Sequence, residues 1–336
     1  MKFGPVDAAS SEGAILAHAI RRPGLALKKG EILAARHIAA LEAAGIETVI
    51  AARMEPGDVH EDEAARLLAA NLAGAHVTME SPFTGRCNLF SATAGLVTIS
   101  REIVDAINAV DEAVTVATIM PFQPVAAGEM IATVKIIPFA VPSGILARAL
   151  AAARPGTVGV APFRPLRVGA ISTLLPGLKP AVVAKTLGVL QARLAPACAT
   201  IAAERRVPHE TQALSTAIAQ MAGEVDLVMV FGASAITDRR DVIPAALVAA
   251  GGRVLHLGMP VDPGNLLLLG ELGAIPVIGA PGCSRSPREN GFDFVLRRLL
   301  AGLPVTGVDL RAMGAGGLLK EIASRPQPRN PQNAGS

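Results

Sequence analysis

Residues 226–257 read DLVMVFGASAITDRRDVIPAALVAAGGRVLHL, and the fold is decided there. Leu227 to Phe231 is an unbroken apolar run of strand length, the pattern of a strand buried on both faces. A polar loop opened by Gly232 follows, then an apolar segment near 241–250 that Gly251-Gly252 ends as a helix. Arg253-Val-Leu-His-Leu257 reads as the next strand. Upstream, Arg167-Val-Gly-Ala-Ile-Ser-Thr173 reads as a buried strand, and Val182, Val183, Thr186, Leu187, Leu190 and Leu194 share one helical face. A strand near 198–206 and a helix near 210–222 complete the alternation. This rhythm predicts an α/β fold: a doubly wound, mostly parallel sheet covered by helices on both faces.

The rest of the chain is read outward from that core. Its 336 residues suggest about two domains. Hydrophobic residues make up 51% and charged residues 18%, which marks a core-forming chain. A net charge of +3 is too mild to argue for a nucleic-acid partner. Trp and Tyr are absent, so aromatic platforms for stacking single-stranded bases are missing. Mean hydropathy is +0.45, yet the longest stretch without Asp, Glu, Lys or Arg is the 16 residues 113–128, broken by Pro121 and Pro124. A spanning helix needs about 20 apolar residues, so no membrane segment is expected. The beginning of the sequence shows no basic and then apolar signal pattern. Cys87, Cys198 and Cys283 are odd in number and far apart, which reads as reduced thiols of a cytoplasmic protein.

Prolines and glycines concentrate in residues 154–165, which predicts a boundary between a mixed α+β domain (1–160) and the α/β domain (166–324). The Pro/Asn/Gln-rich tail 325–336 reads as disordered. In the first domain Glu31 to Ala44 reads as a helix closed by Gly45, with a strand at 46–50. A second helix is expected after Asp58, which has capping-box spacing to Glu61. Stretches 113–119 and 131–139 read as strands. The acids from Glu55 to Glu63 with His60 read as the start of that helix in preference to a metal site.

Ligands of open α/β sheets bind beyond the carboxyl ends of the strands. After Phe231 come Gly232, Ala233, Ser234, Ala235 and Thr237, small residues leading into a helix. Such a turn can offer backbone N–H groups and the helix dipole to an anion. Asp238 and Asp241 would suit a Mg²⁺ beside a phosphate; equally, Gly232 makes the turn and one of the acids caps the helix. Two later loops, Asp262-Pro263-Gly264-Asn265 and Pro281-Gly282-Cys283-Ser284-Arg285, each place a Pro-Gly step beside an apolar strand. Arg285 and Arg288 are positioned to clamp an oxyanion or to flank a helix as solvated charges. Cys283 has no neighbouring base in sequence, so nucleophilic catalysis has no support. Met313 to Lys320 is glycine-rich but only loosely similar to a phosphate loop.

Taken in order, these segments resemble the molybdopterin-binding domain shared by molybdopterin molybdenumtransferases and molybdopterin adenylyltransferases. Residues 226–247 resemble its D-x-V-x-x-x-G-G-x-S/T loop, 262–270 its K-P-G-K-P-x-x-x-G motif and 280–284 its L-P-G-N-P turn. The resemblance covers about 166–300, with a weaker likeness at residues 27–52 to the segment that precedes this domain in the molybdenumtransferases. It implies a pterin phosphate over Gly232 to Ala235, with Thr173, Pro263, Gly264, Asn265, Pro281, Gly282, Cys283, Ser284 and Arg285 around it. It also implies Mg²⁺ at Asp238 and Asp241 if the protein is an enzyme. Ser172-Thr-Leu-Leu-Pro-Gly177 stands where the molybdenumtransferases carry T-G-D-E-L, Asp262 and Asn265 replace two lysines, and Ala233 replaces a glycine. Fewer charges disable phosphoryl-type transfer before they disable binding. The expectation is therefore a molybdopterin- or molybdenum-cofactor-binding protein. An adenylyl- or molybdenum-transferase is one alternative. The other is a ligand-free module that docks a nucleotidyltransferase or molybdoenzyme. A homo-oligomer is implied by the resemblance alone.

Overall fold

The computed structural model describes residues 1–319, so the tail 325–336 lies outside the described residues. The chain divides into two compact units, with the break between Ala161 and Pro162.

The C-terminal unit is built on a six-stranded sheet. Its order is Thr200–Pro208, Arg167–Leu174, Leu227–Phe231, Ile275–Ala280, Leu268–Leu272, Arg253–Leu257. The first four strands are parallel. Along the central strand, Leu227, Met229 and Phe231 enter one core with Leu190 and Leu194 of helix Pro180–Leu194 and Phe292, Val295 and Leu296 of helix Gly291–Leu300. Val228 and Val230 enter the other, against Leu214 and Ile218 of helix Thr211–Ala222 and Ile243 and Leu247 of helix Val242–Ala249. Successive side chains feed opposite cores, which is why this strand has no polar alternation.

The last two strands depart from the parallel expectation. Leu268–Leu272 runs antiparallel to Ile275–Ala280, and Arg253–Leu257 antiparallel to Leu268–Leu272. Between Leu272 and Ile275 only Gly273 and Ala274 intervene, with Gly273 at φ +59°. Two residues suffice for a hairpin, whereas a parallel crossover needs a dozen or more. At the opposite border Thr200–Pro208 alternates between exposed and half-buried positions and carries Glu204, Arg205 and Arg206.

The N-terminal unit contains two separate cores. In the first, strands Lys2–Asp7 and Ile15–Leu16 flank Thr48–Arg53, all antiparallel, and Leu16, Leu27, Leu33, Leu41 and Val49 pack together. In the second, Leu68 and Leu72 of helix Glu61–Leu72 pack on Cys87, Leu89, Val134 and Ile136 of a four-stranded antiparallel sheet. Two local expectations are corrected. The helix expected from Glu31 begins only at Ala35, because Leu33 exchanges backbone hydrogen bonds with Gly13 and Ala14. Asp58 does not cap the next helix: it lies in strand Asp58–His60, which pairs with Ala140–Pro142 and leaves His60 at the cap. The glycine expected to close the first helix does so, with Gly45 at φ +67°. No helix among the described residues is long and apolar enough to cross a membrane.

A candidate anion site beyond the parallel strands

The loops singled out in sequence are joined by hydrogen bonds. Thr173, at the carboxyl end of strand Arg167–Leu174, is 1% exposed. Its Oγ1 accepts from the Ala233 amide at 2.8 Å and lies 2.8 Å from His209 Nδ1. His209 is held at the strand end by its own amide, which donates to Leu174 O. Arg285 reaches back to the same turn: Nη2 donates to Gly232 O at 2.7 Å, and Nη1 to Thr186 Oγ1 at 3.2 Å. Burial lowers the pKa of this guanidinium, because charge is disfavoured away from water.

The two Pro-Gly loops meet at the start of helix Gly291–Leu300. Gly291 N donates to Pro263 O, and Asn290 Nδ2 donates to Cys283 O at 3.4 Å. Gly264 fits because it lacks a side chain: at φ +134°, a Cβ would sit 2.6 Å from Gly291 N. Arg193, on helix Pro180–Leu194, ties down the loop from the other side by donating to Ser284 O at 2.7 Å and Ser286 O at 2.8 Å. Thr173, Gly232, Ala233, Pro263, Gly264, Cys283, Ser284 and Arg285 thus belong to one connected set. Pro281 is buried, while Gly282 and Asn265 are exposed.

Within that set the donor groups are unequal. Among the described residues the amides of Ser234 and Ala235 have no hydrogen-bond partner, and both residues are exposed. The Ala233 amide is already taken by Thr173, and the Thr237 amide by Asp241 Oδ2 at 3.2 Å. Asp241 is the N-cap of helix Val242–Ala249, where Oδ1 accepts from Val242 N at 2.7 Å. A carboxylate therefore holds the dipole end that the sequence suggested for the ligand. Asp238 accepts from both the amide and Nε of Arg240 at 2.8 Å, which lowers its pKa. Asp241 uses both carboxylate oxygens on local N–H groups and Asp238 uses Oδ1, while among the described residues no three His, Cys, Asp or Glu side chains form a metal-binding group.

Gly232 is tightly enclosed, since a Cβ there would lie 2.7 Å from Ser234 O and 2.8 Å from Ile243 Cδ1. Ser284 Oγ is buried without a partner among the described residues. Burial pushes the Cys283 thiol up to about 11, which favours its protonated form near neutral pH. Arg288 is exposed. In the glycine-rich stretch that begins at Met313, Asp262 N donates to Gly317 O and Leu319 N donates back to Asp262 O, and a Cβ at Gly317 would run into Pro260 O. Sequence reasoning missed Thr186 and Arg193 as parts of the loop scaffold. Arg193 lies about a hundred positions from its partners, beyond the reach of any local pattern.

A family described as a domain of unknown function, DUF8806, matches residues 5–53, the segment with its own small core. No curated protein matches the chain. Among solved structures, the molybdopterin biosynthesis MoeA protein of Pyrococcus horikoshii is 13% identical, with TM-score 0.31, covering 73% of this chain and 79% of that one. The molybdopterin biosynthesis enzyme MoaB of Thermus thermophilus is 16% identical, with TM-score 0.28, over 41% of this chain and 98% of its own. A molybdenum cofactor biosynthesis protein of Pyrococcus furiosus is 14% identical, with TM-score 0.25, over 90% and 66%. The chain is thus distantly similar to molybdenum cofactor biosynthesis proteins, at TM-scores too low to carry a site or an activity across.

Proposed function

We propose that the C-terminal unit binds a phosphorylated pterin of the molybdopterin type and serves in making or handling molybdenum cofactor as a binding protein. One observation carries this reading. The unpartnered amides of Ser234 and Ala235 stand at the strand end, on the turn whose Gly232 carbonyl is held by the half-buried Arg285 guanidinium. Amides and a cation together favour a phosphate dianion. Arg285 uses two of its five N–H donors on Gly232 and Thr186, which leaves three for a ligand. The order of the three sequence motifs supports the pterin as the body that carries the phosphate. The engagement of Asp238 and Asp241 by neighbouring N–H groups favours binding over metal-dependent transfer.

Calorimetric titration of the full chain with molybdopterin tests the reading, with the bound pterin verified by its fluorescence after acid oxidation. Saturable binding is expected, weakened about tenfold or more in Arg285→Ala and in Ser234→Asp, which sets a carboxylate among the free amides. Absence of saturable binding, or affinity unchanged in both variants, overturns it.

A further inference from the structure

The N-terminal unit carries an open cleft of about 580 Å³, separate from the anion site of the C-terminal unit. Its volume is in the range that takes small organic ligands, roughly 300–1,000 Å³. Its wall includes Phe3 of strand Lys2–Asp7, Lys29, Glu61 at the start of helix Glu61–Leu72, Arg86 and Lys135 on paired strands, and Phe139.

The lining is a charged arrangement. Glu61, the first residue of helix Glu61–Leu72, is only 7% exposed. Its Oε2 is 3.6 Å from Lys135 Nζ, which also donates to Thr84 O. Among the described residues no hydrogen bond reaches Glu61 Oε1. Gly85 makes the arrangement possible, because at φ +71° a side chain there would run into the Glu61 carboxylate and the Lys135 ammonium. Lys29 Nζ lies 5.8 Å over the centre of the Phe139 ring. Arg86 is exposed and, among the described residues, has no acidic partner. Lys29, Arg86 and Lys135 thus share one wall with a single carboxylate, Lys135 being the one beside it, and Phe3 and Ile137, each 59% exposed, supply apolar surface. A cavity left by imperfect packing is apolar, whereas this one combines a buried acid with the exposed cations Lys29 and Arg86, which marks a candidate site.

We propose that this cavity binds a phosphorylated aminoheterocycle: a flat ring with N–H donors along one edge and an anionic tail. Arg86 and Lys29 take the phosphate, in line with their charge and donor sets. Phe3, Phe139 and Ile137 cover the ring. Glu61 Oε1 accepts from the N–H edge, since an ionised carboxylate only accepts. Purine nucleotides and pterin phosphates share this chemistry. The site is independent of the one proposed for the C-terminal unit.

Calorimetry of the full chain with guanosine 5′-monophosphate, neopterin monophosphate, guanosine and inorganic phosphate tests the assignment. At least one of the two phosphorylated heterocycles binds saturably, and whichever binds identifies the source. Its affinity falls about tenfold or more in Lys29→Glu and in Arg86→Glu, both exposed positions that leave the fold intact. Glu61→Gln weakens the heterocycle and leaves inorganic phosphate unchanged, and guanosine binds more weakly than its phosphate. Arg285→Ala, in the other unit, has no effect. The proposal is overturned if neither heterocycle saturates, if inorganic phosphate alone binds, or if Lys29→Glu and Arg86→Glu leave affinity unaltered.

Discussion

Arg193 Nε lies 2.6 Å from Asp293 Oδ1, and both side chains are almost wholly removed from water. Asp293 also accepts from the Asn290 amide, so one ion pair holds the start of helix Gly291–Leu300 while Arg193 reaches the carbonyls of Ser284 and Ser286. The Arg193 guanidinium stands 5.5 Å from the centre of the Phe292 ring. Removing the arginine leaves a buried carboxylate uncompensated, which typically costs about 3–5 kcal/mol. Chemical denaturation of Arg193→Ala is expected to show a loss of that order, together with faster proteolysis between Ser284 and Arg288. A loss below about 1 kcal/mol, the level of an exposed pair, refutes this role.

Thr173 is the link between His209 and the turn after Phe231. Thr173→Val keeps the shape and removes the hydroxyl, leaving the Ala233 amide without its acceptor. Stability is expected to drop by about 1–3 kcal/mol, and ligand affinity at Ser234 and Ala235 with it. Thr173→Ser restores both. Equal behaviour of the two variants in a melting experiment argues against the link.

The three cysteines differ in access and in acidity. Cys198 is exposed, Cys87 is buried, and burial raises the Cys87 thiol and takes Cys283 to about 11. Iodoacetamide at pH 8 is expected to modify Cys198 and spare the other two in the folded protein, as read by peptide mass spectrometry. Rapid labelling of Cys283 at that pH contradicts the assignment.

Burial raises the Glu61 carboxyl above its ordinary 4.5, with Asp62 adding to the shift and Lys135 and His60 opposing it. The folded chain therefore holds this proton more tightly than the unfolded chain. The resulting stabilisation is full below pH 4.5 and is lost as pH rises through the higher folded value. Relative to Glu61→Gln, wild-type protein is expected to lose melting temperature between pH 4 and 7. A difference that is flat across that window falsifies the claim.

Much of the C-terminal sheet is legible in sequence because burial on both faces leaves a plain mark, as Leu227 to Phe231 does. The hairpin 268–280 is not, since Leu267 to Gly270 and Ile275 to Ala280 look like apolar stretches beside Pro-Gly turns until their pairing is known. The two cores of the first 161 residues are hidden for a related reason: short strands such as Ile15–Leu16 gain their identity from partners far along the chain. In the candidate site, Thr173 and Arg285 are recognisable as members. What each touches is set by loops some 60 and 53 positions away, beyond any periodicity. Asp241 shows the limit of spacing arguments, because a metal ligand and a helix cap are written with the same residue at the same place.

The outermost strand, Thr200–Pro208, has a practical consequence. Glu204 pairs with Arg206 at 2.6 Å, and Arg205 with Glu224 at 2.6 Å, so the free border of the sheet is studded with opposed charges. A second molecule adding a strand there would have to strip water from all of them, and such borders resist runaway stacking. Growth of the sheet by strand addition at this border is therefore disfavoured, and the sheet's other border, Arg253–Leu257, is the one left with fewer such paired charges among the described residues.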